Sequence, residues 1–335
     1  MGPVIARGNM EKVLVLLGTY NGAAFLPEQL QSIQQQSFQD WQLLVRDDGS
    51  EDDSQNILEA FAREDNRIEI LQDRKGRLGV AGNFGELMLA ALDSKAEVVC
   101  FADQDDVWLP FKMAAQLTLL QESHTTYGSD TPILVYSDLH VVNHDLKTLY
   151  GSLMGYQGIR HQADSPLNYL IAQNFVTGCA STINRALLEI AVPMPTDALM
   201  HDWWIALCAA VWGRIEYLDR PTLLYRQHSR NQVGAKRIKN MLNPFNRQLF
   251  AYWRRGRCNF RDTFRQAAAL DERIHARDDQ SAPGTAELVA AYAGLLRASR
   301  LERLATISRF GIQRQGWPRQ WLFWNSLLLE PRIPH

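Results

Sequence analysis

The chain has 335 residues, of which 46% are hydrophobic, and this apolar content is enough for one large domain or two small ones. Residues 1–10 lack the apolar stretch of a signal peptide, and no apolar run reaches the roughly eighteen residues that predict a membrane-spanning helix. The formal net charge is −2 at pH 7, and the four cysteines form no C-x-x-C pair, which favours reduced thiols in a cytosolic protein.

The first hundred residues alternate short apolar strands with amphipathic helices. Near-continuous apolar strands separated by helices are typical of a mostly parallel sheet that is covered on both faces. In such a sheet ligands bind outside the carboxyl ends of the strands, and here three strands end in polar clusters, T-Y-N, D-D-G-S and D-Q-D-D. We predict strands at 13–17, 41–45, 67–71 and 97–102, and helices at 25–36, 53–63 and 83–92.

The second half of the chain has a more mixed pattern of strands and helices, and its last part is positively charged. Strands are predicted at 133–136 and 222–225, helices at 164–173 and 203–211, and a mainly helical pattern beyond residue 243. Residues 245–335 contain 15 Arg, no Lys and 8 acidic residues, a net charge of +7, whereas residues 1–244 have a net charge of −9. This polarity predicts a domain at 1–243 and an arginine-rich helical extension at 244–335.

Three carboxylates follow the fourth predicted strand within four positions, Asp103, Asp105 and Asp106. Like charges this close repel, and a buried carboxylate is costly unless something compensates it. A divalent cation such as Mg²⁺ or Mn²⁺ would do so, with substrate phosphates completing its ligands. In an extended segment Asp103 and Asp105 point to the same face, so one ion could contact both. The alternative is a solvated acidic turn that caps the helix expected near Pro110.

Several other kinds of site lack their motifs in this sequence. It has no G-x-x-x-x-G-K-[ST] loop for nucleoside triphosphates and no G-x-G-x-x-G after a strand for dinucleotides. Neither G-x-S-x-G nor H-E-x-x-H occurs, and no Cys or His residues stand at the short spacing of a zinc site.

Five motifs appear in a characteristic order along residues 11–235. They are V-L-L-G-T-Y-N-G-A-A-F-L, V-R-D-D-G-S-E-D-D-S, A-D-Q-D-D-V-W-L-P, F-V-T-G-C-A-S-T-I-N-R and H-D-W-W. With them the chain resembles family 2 glycosyltransferases of the GT-A fold, and most of all the rhamnosyltransferase-like branch that builds bacterial surface polysaccharide. The resemblance implies an α/β protein with a Rossmann-like, mostly parallel central sheet flanked by helices, here followed by a C-terminal helical extension. It also implies a metal-assisted, inverting transfer of a sugar from a nucleotide diphosphate donor.

The resemblance places a nucleotide pocket at the ends of the first two strands. There, Asp47 would accept a hydrogen bond from the base, Asp48 would lie close to the ribose, and Asn83 would help to close the pocket. Two alternatives remain, because Asn21 and Gly22 form an ordinary turn pair and Asp48 could cap the following helix. The predicted nucleotide-binding residues are Thr19, Tyr20, Asn21, Asp47, Asp48, Asn83 and Asp103.

The resemblance also assigns the divalent metal, Mg²⁺ or Mn²⁺, to the D-x-D pair. Asp105 would hold the ion that bridges the diphosphate, and Asp103 would contact the ribose or reach the ion through water. His228, after the last predicted strand, would reach the metal or the diphosphate, with a structural role as the alternative. Asp106 would orient the pair or face the acceptor.

An inverting transfer needs a base opposite the leaving group, and the resemblance assigns this role to Asp202 in H-D-W-W. The alternative is an ordinary N-cap of the apolar helix that follows. In that position the helix dipole would favour the ionised carboxylate, which is the form a base needs. Trp203 would then pack in the core or lie against a sugar ring.

The function implied by the resemblance is transfer of a sugar to a saccharide or lipid-linked acceptor. The best candidate donor is dTDP-L-rhamnose, UDP-hexoses remain open, and no nucleic-acid partner is expected. Two other functions are possible. A nucleotidyltransferase would need a basic phosphate loop where G-T-Y-N-G has neither Lys nor Arg. A non-catalytic sugar-nucleotide-binding subunit would not need the carboxylates.

The extension contains one amphipathic stretch of particular note. Trp317, Trp321, Trp324 and Leu328 recur at helical spacing beside Pro318, a favoured first helical residue. Such a face packs on the catalytic domain or on another subunit, or it contacts an anionic membrane surface. In the last case the cytoplasmic protein would be peripheral on the inner face of the cytoplasmic membrane.

Overall fold

The computed structural model describes residues 12–227, 249–277 and 284–332. The strands of these residues are β1 (Val13–Thr19), β2 (Trp41–Asp47), β3 (Ile68–Ile70), β4 (Val98–Asp103), β5 (Val107–Trp108), β6 (Ile133–Ser137), β7 (His140–Val142), β8 (Thr148–Tyr150), β9 (Ser181–Asn184), β10 (Arg214–Leu218) and β11 (Leu223–Arg226). The helices are α1 (Leu26–Gln34), α2 (Ser54–Glu64), α3 (Gly79–Asp93), α4 (Lys112–Tyr127), α5 (Leu153–Gln157), α6 (Leu167–Leu170), α7 (Arg185–Ala191), α8 (His201–Trp212), α9 (Leu249–Ala276), α10 (Thr285–Ala293), α11 (Arg300–Arg309) and α12 (Trp317–Leu329).

Seven strands form a central sheet in the order β10-β6-β9-β4-β1-β2-β3. Neighbours are parallel except at β9, which runs antiparallel between β4 and β6. The predicted mostly parallel sheet is therefore confirmed. The strand order reverses at β1, which has β2 on one side and β4 on the other, and open α/β sheets bind ligands at such a reversal.

The register of the central strands brings their polar ends to one edge of the sheet. Thr19 of β1 lies beside Asp47 of β2, and Gly18 lies beside Asp103 of β4. The strands are buried on both faces, because apolar residues of α1, α2 and α4 pack on one face and those of α3, α7 and α8 on the other. This double burial explains why their sequences read as continuous apolar runs.

A smaller sheet with the order β5-β11-β7-β8 lies next to the end of β4. Its first strand, β5, begins four residues after β4 ends, and it pairs antiparallel with β11. The turn at residues 104–106 is therefore held between the two sheets. The acidic cluster lies on this turn.

Several elements differ from the sequence-based expectation, and strands β5, β7, β8 and β10 were not predicted. The helix predicted at 164–173 is reduced to α6, because Ser165 has a positive φ of 51° and the chain leaves the helix to bury Phe175. Strand β9 was not predicted, since it is short and half polar. Its Thr182 is fully buried and donates a hydrogen bond to Gln116 Oε1 over 2.8 Å, so long-range pairing rather than local pattern makes this segment a strand.

The described part of the C-terminal extension packs on the catalytic domain. Apolar residues of α9, α10 and α12, including Phe260, Phe264 and Phe323, belong to the same hydrophobic cluster as Leu16 of β1 and residues of α8. The predicted boundary near residue 243 lies outside the described residues. Among the described residues, no helix combines the length and the apolar character that crossing a bilayer requires.

One buried arginine connects the helices of the extension. Arg303 of α11 is 2% exposed, and its guanidinium donates hydrogen bonds to five main-chain carbonyls at distances of 2.7 to 3.2 Å. Each of these carbonyls ends a helix or lies in the turn between helices. The acceptors are the main-chain oxygens of Leu295, Leu296, Ala298, Leu327 and Glu330.

We expect Arg303→Met to lower the free energy of unfolding by about 3 kcal/mol, because buried carbonyls lose a charged donor. Denaturant unfolding measures this loss. The matched control is Arg309→Met on the same helix, whose exposed ion pair with Glu287 is worth less than about 1 kcal/mol. Equal losses in the two variants would contradict the structural role of Arg303.

Candidate active site at the carboxyl ends of the strands

The acidic residues that follow β4 do not continue the strand. After Asp103 the chain turns at Gln104 and Asp105 and then enters β5. The expectation that Asp103 and Asp105 share a face as in an extended segment is therefore wrong. Instead, a carboxylate oxygen of Asp103, one of Asp106 and the thiol of Cys179 lie within 4.8 Å of one another.

The crowding of carboxylates raises their pKa values. Burial, then Asp105 and then Asp202 raise the pKa of Asp103 to about 7. Asp106 is fully buried, and its burial, with the charges of Asp105 and Asp103, raises its pKa well above the ordinary value. Because Asp202 of α8 contributes to the raised pKa of Asp103, these two carboxylates lie near each other. Asp103 and Asp106 thus lie in a local field of negative charge.

Two cations lie beneath this cluster. Lys112 is fully buried, donates to Gln116 Oε1 over 2.7 Å, and lies 4.3 Å from the centre of the Trp108 ring. Burial lowers the pKa of Lys112 to about 8, while Cys100, Cys179 and Asp106 act in the opposite direction. Lys112 therefore offsets part of the charge of Asp106.

Arg226 of β11 is the second cation. Its main-chain N–H donates to Asp106 Oδ1 over 3.3 Å, and its Nε donates to the main-chain oxygen of Asp105 over 3.0 Å. The guanidinium also donates to the main-chain oxygen of His144 and to the carboxylate of Glu28. Arg226 thus fixes the backbone of the acidic turn against the small sheet.

The donor set suits a hard divalent cation. The second carboxylate oxygen of Asp106, Oδ2, is buried and accepts no hydrogen bond from the described residues. Carboxylate oxygens are the preferred protein ligands of Mg²⁺ and Mn²⁺. Burial, Asp106 and Asp103 raise the pKa of Cys179 well above its ordinary value, so this residue stays a thiol and does not supply the thiolate that soft metals bind. His228 lies outside the described residues.

Asp202 is the second residue of α8, and the residue before the helix is Met200. Its Oδ2 accepts from the main-chain N–H of Gly178 over 3.0 Å, and its Oδ1 accepts from Asn174 Nδ2 over 3.2 Å and from the main-chain N–H of Trp203 over 2.6 Å. The alternative of an N-cap is therefore wrong. Burial outweighs these hydrogen bonds and raises the pKa of Asp202 to about 6, which corrects the expectation of a dipole-stabilised carboxylate.

The loop before β9 approaches α8 closely because it contains a glycine. A Cβ on Gly178 would lie 2.5 Å from His201 Nε2 and 3.2 Å from Asp202 Cβ. His201 is buried and stacks on Phe84 with 3.8 Å between ring centres, and burial lowers its pKa to about 3. The imidazole therefore stays neutral and acts as a wall of the site, a role that the sequence did not indicate.

Gln104, which the sequence analysis overlooked, joins the ends of β1 and β4. Its Oε1 accepts from Thr19 Oγ1 over 2.6 Å and from the Tyr20 N–H over 2.8 Å, and its Nε2 donates to the Tyr20 carbonyl over 3.2 Å. The ring of Tyr20 lies under the Arg77 guanidinium at 4.0 Å. These bonds hold the T-Y-N turn beside the acidic turn.

The turns after β1 and β2 are also bonded to each other. Asn21 has a positive φ of 49°, its N–H donates to Ser50 Oγ over 2.8 Å, and its Oδ1 accepts from the Glu51 N–H over 2.8 Å. Asp47 accepts from the Ser50 N–H over 2.9 Å and from Gln55 Nε2 over 3.1 Å. Asn21 and Asp47 are thus fixed at the edge of the proposed nucleotide pocket.

Asp48 and Asn83 belong to one buried network around Arg46, a residue without a sequence signal of its own. Arg46 donates to Asp48 Oδ1 over 2.7 Å, to Asn83 Oδ1 over 3.1 Å and to Asp73 Oδ2 over 2.6 Å. Asp48 also accepts from the N–H groups of Leu78 and Gly79 at the start of α3. Both of its oxygens have internal partners, so in this structure it joins β2 to α3.

The two tryptophans of H-D-W-W have different surroundings. Trp204 is fully buried and donates to the Ala191 carbonyl over 2.8 Å. Trp203 is half-buried and donates to the Leu170 carbonyl over 2.6 Å, on the loop side of α8. The fold thus brings Asp202 of H-D-W-W near Asp103 of the D-x-D motif.

A mostly parallel sheet with an acidic turn after its fourth strand and a half-buried carboxylate at the start of α8 is the arrangement of a GT-A glycosyltransferase. The sequence pattern of the family described as glycosyl transferase family 2 matches residues 14–188. The chain belongs to this family.

Similar proteins agree with this assignment. The chain is 29% identical over 229 residues to the dTDP-rhamnosyl transferase RfbG of Shigella flexneri, across 65% of this chain and 74% of that protein. It is 32% identical over 120 residues to the GalNAc(5)-diNAcBac-PP-undecaprenol beta-1,3-glucosyltransferase of Campylobacter jejuni, across 36% and 37%. The crystal structure of S. aureus TarS 1-349 in complex with UDP-GlcNAc has the same fold, with a TM-score of 0.55, 14% identity, and 89% of this chain and 80% of that chain covered.

The raised pKa of Asp103 predicts how stability depends on pH when the metal is chelated. In the unfolded chain this carboxyl has its ordinary pKa of 3.8, and in the folded protein about 7. Above about pH 7 it is ionised in both states, so the folded state is destabilised in full. As the pH falls from about 7 to about 4, only the folded state takes up the proton, and the destabilisation disappears.

Asp103→Asn removes this charge. We expect a higher thermal midpoint than that of the unmodified protein at about pH 8 and no difference at about pH 4. Calorimetry in the presence of chelator measures the thermal midpoint. The control is Asp130→Asn, which changes an exposed carboxylate. A variant that is less stable at every pH would show that the negative field does not destabilise the fold.

Proposed function

We propose that the protein is an inverting glycosyltransferase in which Asp202 is the general base. The observation that supports this most directly is the position of its carboxylate. It is held by Gly178 and Asn174, and it lies close enough to Asp103 to raise the pKa of that residue. The base therefore faces the carboxylates that would hold the donor diphosphate.

In the proposed reaction Asp202 accepts the proton of an acceptor hydroxyl. The hydroxyl oxygen forms a bond to the anomeric carbon as the bond from that carbon to the diphosphate oxygen breaks, and the diphosphate leaves with the electron pair. Attack from the side opposite the leaving group inverts the configuration. With a pKa of about 6, Asp202 is mostly ionised at neutral pH and can therefore accept a proton. This pKa is close to the working pH, which is favourable for a general base.

Mg²⁺ or Mn²⁺ would be held by Asp105 and Asp103, with Asp106 beside them and His228 as a further candidate. When bound, such an ion stabilises the negative charge that develops on the leaving diphosphate. The support for this site is the negative field of the acidic turn, which Lys112 offsets only in part, and the Oδ2 atom of Asp106, which accepts no hydrogen bond from the described residues.

The donor would lie along the ends of β1, β2 and β4, with the nucleotide against Tyr20, Asn21 and Asp47. In this arrangement Asp48 and Asn83 act through the Arg46 network, which fixes the wall behind the nucleotide. We propose dTDP-L-rhamnose as donor because of the similarity to RfbG, with UDP-sugars as the alternative. The acceptor would be a saccharide or a lipid-linked saccharide of a bacterial surface polysaccharide, as the similarity to an undecaprenol-dependent enzyme suggests.

Asp202→Asn tests the base. The amide keeps the size of the side chain but cannot accept the proton, so transfer should fall by about 10²–10⁴-fold. Donor affinity, measured by calorimetry, should stay the same. Asp197→Asn, on the exposed segment before α8, is the matched control. A near-normal rate for Asp202→Asn would refute the assignment.

The rate of the unmodified enzyme should rise with pH through the ionisation of Asp202. Its pKa of about 6 predicts that activity falls as the pH drops below about 6, because the base becomes protonated. Initial rates between about pH 5 and pH 8 at saturating donor show this limb. A rate that is constant across this range would contradict the proposed role.

Asp105→Ala tests the metal. Thermal shift with dTDP-L-rhamnose should show stabilisation that requires Mn²⁺ in the unmodified protein and is lost in the variant, since bound donor stabilises by mass action. Asp130→Ala is the control, because this side chain is exposed and far along the chain from the site. Full transfer activity in excess chelator would exclude a metal-dependent mechanism.

A further inference from the structure

Three tryptophans form an exposed row on the last helix. Trp317, Trp321 and Trp324 of α12 are 72%, 50% and 49% exposed, and we call them the tryptophan face. The same helix buries Phe323 and Leu327 completely or nearly so, against the rest of the extension. The tryptophan side of α12 is therefore about half exposed or more, and the side with Phe323 and Leu327 is the one that packs.

The surroundings of this face are apolar and cationic. Leu329 at the end of α12 is 56% exposed and Leu301 on neighbouring α11 is 80% exposed. Nine large apolar side chains are exposed in the described residues, and five of them lie on these two helices. Exposed apolar side chains are therefore concentrated on α11 and α12. Arg319 is the only ionisable residue within α12.

Exposed arginines cluster at the carboxyl end of α12. Arg332 donates to the Arg297 carbonyl over 2.6 Å, and both Arg300 and Arg332 lower the pKa of Arg303, which follows from their proximity. Glu302 is the exposed acidic residue nearby, and it is used in a capping box with Ser299. Residues 284–332 contain seven Arg and three Glu, so the region is net positive.

We propose that the tryptophan face docks on an anionic lipid surface, with α12 lying in the plane of the headgroups. Indole rings combine an apolar body with a polar N–H and suit this interface, and the arginines at the carboxyl end of the same helix would attract anionic headgroups. A second copy of the chain fits less well. The three indoles expose roughly 400 Å² together, about half of what each partner buries in a standard interface.

Hydrogen bonds connect α12 to the candidate active site. Gln315, just before the helix, exchanges two hydrogen bonds with the backbone of Arg160, and its main-chain N–H donates to Gln173 Oε1 over 2.9 Å. Arg319 donates to the Gln157 carbonyl over 2.6 Å. Segment 157–173 leads directly to Asn174, which bonds to Asp202. Docking would therefore hold the active-site loop at a fixed distance from the lipid, where a lipid-linked acceptor arrives; this last point rests on the proposed function.

Vesicle co-sedimentation of the full chain tests docking without donor or acceptor. We expect binding to phosphatidylglycerol vesicles that weakens with salt, and little binding to phosphatidylcholine vesicles. A variant with Trp317→Gln, Trp321→Gln and Trp324→Gln should bind at least about tenfold more weakly, since three interfacial indoles are lost. Unchanged thermal midpoints would show that this variant is folded.

The matched control carries three substitutions at exposed apolar side chains elsewhere, Leu89→Gln, Tyr127→Gln and Leu149→Gln, and should bind like the unmodified protein. Equal binding by both triple variants, or none by the unmodified protein, would overturn the proposal. So would a dimer that the tryptophan substitutions convert to a monomer without any vesicle binding. Transfer to a soluble acceptor, assayed in parallel, reports on the catalytic proposal separately.

Discussion

The structure of the site depends on carboxylates that the fold brings close together, three of them at or just after the end of β4 and one at the start of α8. Burial is the largest cause of the raised pKa values of Asp103, Asp106 and Asp202, and neighbouring carboxylates raise those of Asp103 and Asp106 further. The register of β4 beside β1 holds Asp103 at this edge of the sheet. The repulsion between the carboxylates suits a divalent cation, which would offset the negative charge and could in turn bind an anionic diphosphate.

The remaining polar residues of the sheet edge are occupied in holding this arrangement. Gln104 bonds the acidic turn to the first turn, and Arg46 bonds the second turn to α3. Neutral His201 and Gly178 let the loop before β9 reach α8. The carboxylates therefore meet in a preorganised site, which needs less reorganisation than a solvated loop when charge develops there.

The extension is part of the same unit as the site. Its phenylalanines share the core of the catalytic domain, and Gln315 reaches the segment before Asn174. Arg303 donates hydrogen bonds to the carbonyls at the carboxyl end of α12. One side of α12 is therefore fixed to the extension, and the other side remains exposed. If the tryptophan face docks on a lipid surface, this packing would hold the active site at a fixed distance from the lipid.

The sequence by itself determined the order of the strands and helices of the first hundred residues, the family, and some of the residues that meet at the sheet edge, such as Thr19, Asp47 and Asp103. These follow from local patterns, because apolar runs, turn residues and motif order do not depend on distant contacts. Tertiary structure decided the rest. The turn after β4 brings Asp106 and Cys179 to Asp103, long-range pairing makes β9 a strand, and Gly178 rather than a cap position fixes Asp202. Which side of α12 is buried depended likewise on partners far away in the chain, and helical spacing alone does not contain that information.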